Sequence, residues 1–151
     1  MRIIGGQFRG LHLAPVGEGD AAAHLRPTSD RVRESIFNLL INGGYGDPIT
    51  GARVLDLFAG TGALGLEAIS RGAARAAFVD DGAAARALLR RNIELTRTMG
   101  VTDVWRRDAT RMGPCRGAGY SLVFLDPPYR LGLGERRFRP VSRGGGLRPT
   151  L

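Results

Sequence analysis

From residue 51 onward, short apolar runs alternate with longer amphipathic ones. Four runs predict strands: ARVLDLF, RAAFVD, TDVWRRD and YSLVFLD. Two intervening runs predict helices, GALGLEAISRG and GAAARALLRRNIELTRTMG. The last strand is apolar at consecutive positions, which is typical of a parallel strand buried on both faces. The alternation of strands and helices favours an α/β fold with an open parallel sheet.

Two further elements are predicted before residue 51. The stretch RIIGGQFRGLHLAPV has two short apolar runs around Arg9-Gly10, which is typical of a β-hairpin. The stretch RPTSDRVRESIFNLLINGG predicts a helix that Thr28, Ser29 or Asp30 caps. At helical spacing, one face of this helix carries apolar residues that we expect to be buried: Val32, Ile36, Leu39 and Leu40.

The charge of the chain changes this picture. The 151 residues suffice for one domain with its own core, and the net charge is +8. Such a balance favours a polyanionic partner, most often nucleic acid. Several arginines lie near the start of the predicted helix, where the helix dipole disfavours cations, so we expect an anion there; a solvated charged face is the alternative. The candidate nucleic-acid contacts are Arg2, Arg9, Arg26, Arg31 and Arg33.

Other features narrow the class of protein. No apolar run approaches the roughly 20 residues of a membrane span, and the first ten residues lack the apolar region of a signal peptide. Cys115 is the single cysteine, so no internal disulfide is expected and a reducing cytoplasm fits best. His24 is isolated, and we expect no metal site.

A glycine-rich stretch carries the first candidate chemistry. In VLDLFAGTGALGLEA, Gly60, Gly62 and Gly65 form a G-x-G-x-x-G between a strand and a helix, which indicates a nucleotide-like ligand. Asp80 ends the next strand, where its carboxylate can accept from ribose hydroxyls. Asp56, just before the glycines, would repel a pyrophosphate and attract a cation, which favours S-adenosylmethionine over a dinucleotide. Asp108 is placed to accept from an adenine amino group or to cap a helix.

Several motifs together resemble a known family. The order LDLFAGTGALGLEA, FVD, RRDAT and FLDPPY resembles the class I methyltransferases that use S-adenosylmethionine. The N-terminal RIIGGQFRG and RPTSDRVRESIFN are similar to the RsmD family, bacterial methyltransferases of guanine N2 in small-subunit (16S) ribosomal RNA. The resemblance covers residues 1 to about 130. It implies a Rossmann-like sheet at 51–130, preceded by an RNA-contacting hairpin and helix at 1–50.

The resemblance also implies the site residues. Asp126, Pro127, Pro128 and Tyr129 would lie beside the transferred methyl group. The Asp126 carboxylate and the Pro127 carbonyl would accept hydrogen bonds from the N–H groups of an exocyclic amine, and Tyr129 would stack on the base. The implied partner is an assembling small ribosomal subunit, and we expect a monomer. The residues expected to bind S-adenosylmethionine are Asp56, Phe58, Gly60, Thr61, Gly62, Asp80, Asp108 and Ala109.

Three alternatives stay open from the sequence. The Asp-Pro-Pro-Tyr motif also occurs in enzymes that methylate adenine N6 or cytosine N4 in DNA or RNA. An inactive RNA-binding remnant would keep the basic surface without catalysis. A dinucleotide oxidoreductase would share the glycine motif.

The last part of the chain loses the pattern. Residues 130–151 contain six Arg and five Gly and lack helical or strand periodicity. The family continues instead with a helix and three more strands, so we expect a truncation or a frameshift near residue 130. We also expect residues from about 131 to be disordered, the strand at 120–125 to form an exposed edge, and the chain to be inactive or poorly soluble. Resequencing the codons for Tyr129 to Glu135 tests the frameshift.

Overall fold

The computed structural model describes residues 1–15, 28–44, 46–107 and 119–125. Its α-helices are α1 (Asp30–Asn42), α2 (Ala63–Ser70) and α3 (Ala83–Thr96). Its strands are β1 (Arg53–Leu57), β2 (Arg75–Val79), β3 (Thr102–Trp105) and β4 (Leu122–Leu125), and a 3-10 turn, Met99–Val101, precedes β3. The order of helices and strands predicted after residue 51 is therefore confirmed.

The four strands form one parallel sheet in the order β3-β2-β1-β4. This is the order of the first four strands of a doubly wound Rossmann sheet, in which ligands bind at the carboxyl ends of strands where the order reverses. Here the reversal lies between β1 and β4, whose last residues, Leu57 and Leu125, are paired. The predicted α/β class is confirmed. The reversal of strand order between β1 and β4 is the expected place of a ligand-binding site.

Strand β4 lies at the edge of the sheet among the described residues. Its side chains are nevertheless covered: Leu122, Val123 and Phe124 are all buried. Leu122 and Phe124 belong to the core cluster on one face of the sheet, and Val123 belongs to the cluster on the other face. The double-sided burial predicted from consecutive apolar positions is confirmed, and β4 is an edge strand, as predicted, in the sheet that the described residues form.

Helix α1 begins where one of the expected caps stands. The Ser29 hydroxyl accepts a hydrogen bond from the Val32 amide at 3.2 Å. The predicted buried face is wrong in part, because Val32 and Leu39 are 51% and 52% exposed. The buried face instead runs through Arg33, Phe37 and Leu40. The charged residue Arg33 is therefore buried, whereas the apolar pattern predicted that its neighbour Val32 would be.

The N-terminal segment pairs with itself and packs on the sheet domain. Arg2 and His12 form an antiparallel bridge, and the Ile3 amide donates to the Leu11 carbonyl at 2.9 Å, so the hairpin is present as one short bridge. Ile3 and Leu13 are buried in the main core cluster. This segment is thus part of the folded body.

Candidate functional site

The glycine-rich loop joins β1 to α2 at the carboxyl edge of the sheet. Phe58, Gly60 and Gly62 all have positive φ values, of 56°, 55° and 79°. A Cβ on Gly62 would lie 2.2 Å from the Leu89 Cδ1, so any larger residue would strain both the backbone and the packing. The tight turn brings backbone amides to the edge of the sheet. Phe58 takes this conformation without being glycine, which is a strained backbone typical of functional loops.

Asp80 ties this loop to the end of the next strand. Its Oδ2 accepts from the Gly60 amide at 3.0 Å, and its Oδ1 accepts from the Gly82 amide at 2.9 Å. Its own amide donates to the Trp105 carbonyl at 3.2 Å, at the end of β3. The carboxylate is half-buried and fixed beside the glycine loop, where the sequence predicted an acceptor for ribose hydroxyls.

Asp56 lies below the loop and is buried, with 2% of its surface exposed. Its Oδ2 accepts from the Gly65 amide at 3.1 Å, in the first turn of α2. A Cβ on Gly65 would lie 2.4 Å from the Phe78 ring, which explains the third glycine of the motif as a packing requirement. A carboxylate thus already accepts from an amide at the amino end of α2, where a phosphate would otherwise be favoured.

Thr61 is held by a residue that the sequence did not single out. Its carbonyl accepts from the Asn92 Nδ2 at 2.8 Å, and both residues are buried. The Asn92 Oδ1 accepts from the Ala14 amide at 2.7 Å. Asn92 therefore connects the glycine loop with the N-terminal segment. In the sequence, the only sign of this role is that Asn92 is a polar residue within the amphipathic pattern of α3.

Glu67 is a second residue that sequence reasoning missed. It is fully buried in α2, all eight residues of which are buried. Its carboxylate accepts from the amides of Ile4 and Gly5, each at 2.9 Å. It also forms ion pairs with Arg33 at 3.1 Å and Arg71 at 2.8 Å. This carboxylate therefore anchors the N-terminal segment to α2, together with Ser70, which bonds Gly5, Gln7 and Phe8.

Arg33 corrects one of the predicted nucleic-acid contacts. Its side chain is 0% exposed, and besides Glu67 its guanidinium donates to Asp30 at 2.8 Å and to the carbonyl of Arg2. A guanidinium without exposed surface cannot reach a phosphate, so Arg33 is structural. Arg2, Arg9 and Arg31 are exposed, as a contact surface requires.

The pKa of Asp30 follows from the same cluster. Burial disfavours its ionised form, but hydrogen bonds from the Arg33 side chain and the Arg2 amide outweigh this and hold the pKa of the carboxyl below its ordinary value of 3.8.

Seven of the predicted site residues lie outside the described residues. They are Arg26, Asp108, Ala109, Asp126, Pro127, Pro128 and Tyr129. The irregular tail expected from residue 131 lies outside them as well. Strand β4, which precedes Asp126 in the sequence, is among the described residues. Strand β4 ends at Leu125, which pairs with Leu57 at the end of β1, so β4 reaches the sheet edge from which the glycine loop starts.

The described residues contain neither a membrane-spanning helix nor a metal-binding cluster of side chains. None of their helices is long and apolar enough to cross a membrane. Nor do they contain a group of three or more His, Cys, Asp or Glu side chains that could hold a metal ion.

Comparisons with known proteins agree with this geometry. Ribosomal RNA small subunit methyltransferase D of Escherichia coli (strain K12) is 42% identical over 147 residues, which cover 97% of this chain and 69% of that protein. The protein of the same name from Haemophilus influenzae is 33% identical over 154 residues, covering 99% of this chain and 75% of the relative. The solved structure of yhhF from Escherichia coli matches with a TM-score of 0.70 at 41% identity, covering 90% of this chain and 68% of that chain.

A family model described as "Conserved hypothetical protein 95" matches residues 1–151. The match includes residues 131–151 and is thus wider than the range to about 130 on which the sequence resemblance was based. With a model that spans the whole chain and a relative of 42% identity, the chain belongs to the RsmD family of methyltransferases.

Proposed function

We propose that this protein transfers a methyl group from S-adenosylmethionine to the exocyclic N2 of a guanine in 16S ribosomal RNA. The substrate would be an assembling small subunit, and the protein would act as a cytoplasmic monomer. Residues 1–50 would contact RNA, and residues 51–130 would bind the methyl donor and carry out transfer. The names of the relatives from Escherichia coli and Haemophilus influenzae support ribosomal RNA of the small subunit as the substrate class.

The observation that carries the proposal is the pair of carboxylates around the glycine loop. Asp80 accepts from the Gly60 amide at the rim of the loop, and Asp56 accepts from the Gly65 amide beneath it. Asp80 would suit the ribose of either ligand class, whereas the Asp56 carboxylate at the amino end of α2 disfavours a pyrophosphate and favours a ligand with cationic groups. S-adenosylmethionine carries an ammonium and a sulfonium and no phosphate. The residues present therefore suit it better than a dinucleotide.

Transfer would occur where β4 ends. When bound, S-adenosylmethionine supplies a methyl group on a sulfonium, which departs as a neutral thioether. The amine of a base is a poor nucleophile, because its lone pair is delocalised into the ring. The Asp126 carboxylate and the Pro127 carbonyl would each accept a hydrogen bond from one N–H group of this amine. These bonds would aim the lone pair at the methyl carbon and disperse the positive charge that develops on the nitrogen. The nitrogen would then release one proton to solvent water, so the product amine is neutral.

The aromatic ring of Tyr129 would hold the target base once it is unstacked. Base stacking on such a ring contributes about 1–3 kcal/mol, and enzymes that modify a base take it out of the helix. Exposed Arg2, Arg9 and Arg31 on the N-terminal segment and α1 would bind the surrounding phosphates. The net charge of +8 agrees with this role.

The test combines binding with transfer. Calorimetry measures the affinity of the full chain for S-adenosylmethionine. Transfer of a tritiated methyl group is then measured on a 16S transcript, on small subunits lacking the modification and on duplex DNA, and the modified nucleoside is identified by mass spectrometry. N2-methylguanosine in subunits supports the proposal. N6-methyladenosine or N4-methylcytidine would replace it by the alternative amino methyltransferases, and RNA binding without any transfer would indicate a remnant.

A further inference from the structure

We propose that Asn92 is a positioning residue that couples the cofactor loop to the RNA-contacting N-terminal segment. This inference rests on the proposed function. The carboxamide of Asn92 lies between two parts of the chain that are far apart in sequence: the Thr61 carbonyl at 2.8 Å and the Ala14 amide at 2.7 Å. All three residues are buried, with exposed fractions of 0% for Asn92 and 4% for the other two. One side chain thus bridges the glycine loop and the segment that starts the chain.

The orientation of the bridge is determined by its partners. A backbone amide only donates and a backbone carbonyl only accepts, so Oδ1 must face Ala14 and Nδ2 must face Thr61. An aspartate at this position would keep the acceptor for Ala14 but lose the donor for Thr61. A leucine would lose both. The two halves of the bridge are therefore separable by substitution.

The bridge has consequences for both proposed ligands. Thr61 lies between Gly60, whose amide binds Asp80, and Gly62, which starts α2, so its carbonyl helps to fix the loop that would hold S-adenosylmethionine. On the other side, Ala14 belongs to the segment that carries Arg2 and Arg9. A ligand that orders one side also orders the other through Asn92. Linkage requires such coupling to be reciprocal, so each ligand would strengthen binding of the other by the same factor.

The experiment uses the full chain and S-adenosylhomocysteine, which binds like the donor without reacting. Calorimetry gives its Kd with and without a saturating 16S transcript, for wild type, Asn92→Asp and Asn92→Leu. Thr96→Val is the matched control. Thr96 lies one turn further along α3, is also buried, and donates its hydroxyl to the Asn92 and Ile93 carbonyls, away from the loop. Thermal unfolding of each variant confirms that it is folded at the assay temperature.

We expect Asn92→Asp to raise the Kd of S-adenosylhomocysteine by about threefold to tenfold, the equivalent of one hydrogen bond. Its Kd for RNA alone should stay within about twofold of wild type, since the bond to Ala14 is kept. Asn92→Leu should raise both constants and bring the ratio of cofactor Kd values with and without RNA closer to one than in wild type, since Glu67 still holds the N-terminal segment on α2. Thr96→Val should keep the wild-type ratio. If the Asn92 variants bind like Thr96→Val, or if the wild-type ratio is already one, the inference is overturned.

A second measurement needs no variant. Hydrogen exchange at the Ala14 amide of the wild type should slow when S-adenosylhomocysteine binds. Ala14 is connected to the proposed cofactor loop through the side chain of Asn92. This measurement decides the question if the Asn92 variants do not fold, and unchanged exchange would refute the coupling. A wild type that fails to bind S-adenosylhomocysteine at all would refute the proposed function, and the inference with it.

Discussion

Replacing Glu67 by glutamine should destabilise this protein more than any other single change of charge that its described structure suggests. The glutamine side chain would have nearly the same shape but no charge, and its amide would turn a donor toward partners that themselves donate. The carboxylate now accepts from Ile4, Gly5, Arg33 and Arg71 at distances of 2.8–3.1 Å. Arg33 is 0% exposed, so its guanidinium cannot turn to water for compensation.

The size of the effect follows from that burial. Breaking a buried ion pair by removing one partner costs about 3–5 kcal/mol. Domains of ordinary stability unfold with about 5–15 kcal/mol, so about a fifth or more of the total is at stake. For a chain of this length each kcal/mol shifts the melting temperature by about 2–4 °C, which predicts a fall of about 6–20 °C. Urea unfolding followed by circular dichroism measures the loss in free energy of unfolding through the shift of the urea midpoint.

A control and a double variant identify the cause. Glu34→Gln alters an exposed carboxylate on α1 and should change stability by less than about 0.5 kcal/mol. Arg33→Met combined with Glu67→Leu replaces the ion pair by apolar groups, which is often neutral in other proteins. Here the amides of Ile4 and Gly5 would lose their acceptor, at about 1–3 kcal/mol each. A double variant as stable as wild type, or a loss below about 1 kcal/mol for Glu67→Gln, would refute the view that this carboxylate anchors the N-terminal segment.

Four further outcomes are expected. Asp80→Ala should weaken S-adenosylmethionine binding in calorimetry by about 1.5–3 kcal/mol, the range for a hydrogen bond to a charged group; unchanged affinity would contradict its assignment. Asp126→Ala should reduce methyl transfer far more than cofactor binding, and normal turnover would mean that the motif is only a turn. Removing the charges of Arg2 and Arg9 should lower the slope of log K for RNA against log salt by about 0.7–0.9 per lost phosphate contact, and an unaltered slope would show that they only face solvent. Because the folded-state pKa of Asp30 is lowered, its stabilising contribution is present above 3.8 and is lost as the pH falls through the folded value; in acid unfolding curves, Asp30→Asn should remove that part of the pH dependence.

Much of the fold was predictable because its determinants are local. Consecutive apolar residues in a strand require cover on both faces, and the alternation with helices requires a parallel sheet. The glycines of the loop were predictable for the same reason, since a positive φ at Gly62 is a local backbone requirement. The carboxyl edge of the sheet is the expected place of the proposed site because β1 and β4 are neighbours.

The errors concern charged residues, and they share one cause. Periodicity assigns apolar residues to the inside, so it placed Val32 and Leu39 in the core and Arg33 at the surface. The structure reverses this because Arg33 pairs both with Asp30 on its own helix and with the fully buried Glu67, which lies 34 residues away on α2. Arginine is almost never fully buried unless it is paired, and pairing is a tertiary property. No window of sequence around α1 contains the buried partner, Glu67.

Glu67 did carry a signal of its own. The helix ALGLEAIS is buried all round, and a carboxylate in such a helix must find cationic or amide partners in the interior. The sequence therefore implied that some arginine and some backbone amides meet Glu67, without saying which. The structure supplies Arg33 and Arg71 together with the amides of Ile4 and Gly5. These partners belong to α1, the end of α2 and the N-terminal segment. A buried glutamate therefore helps to fix the proposed RNA-contacting part on the sheet domain, and it does so from the helix that follows the proposed cofactor loop.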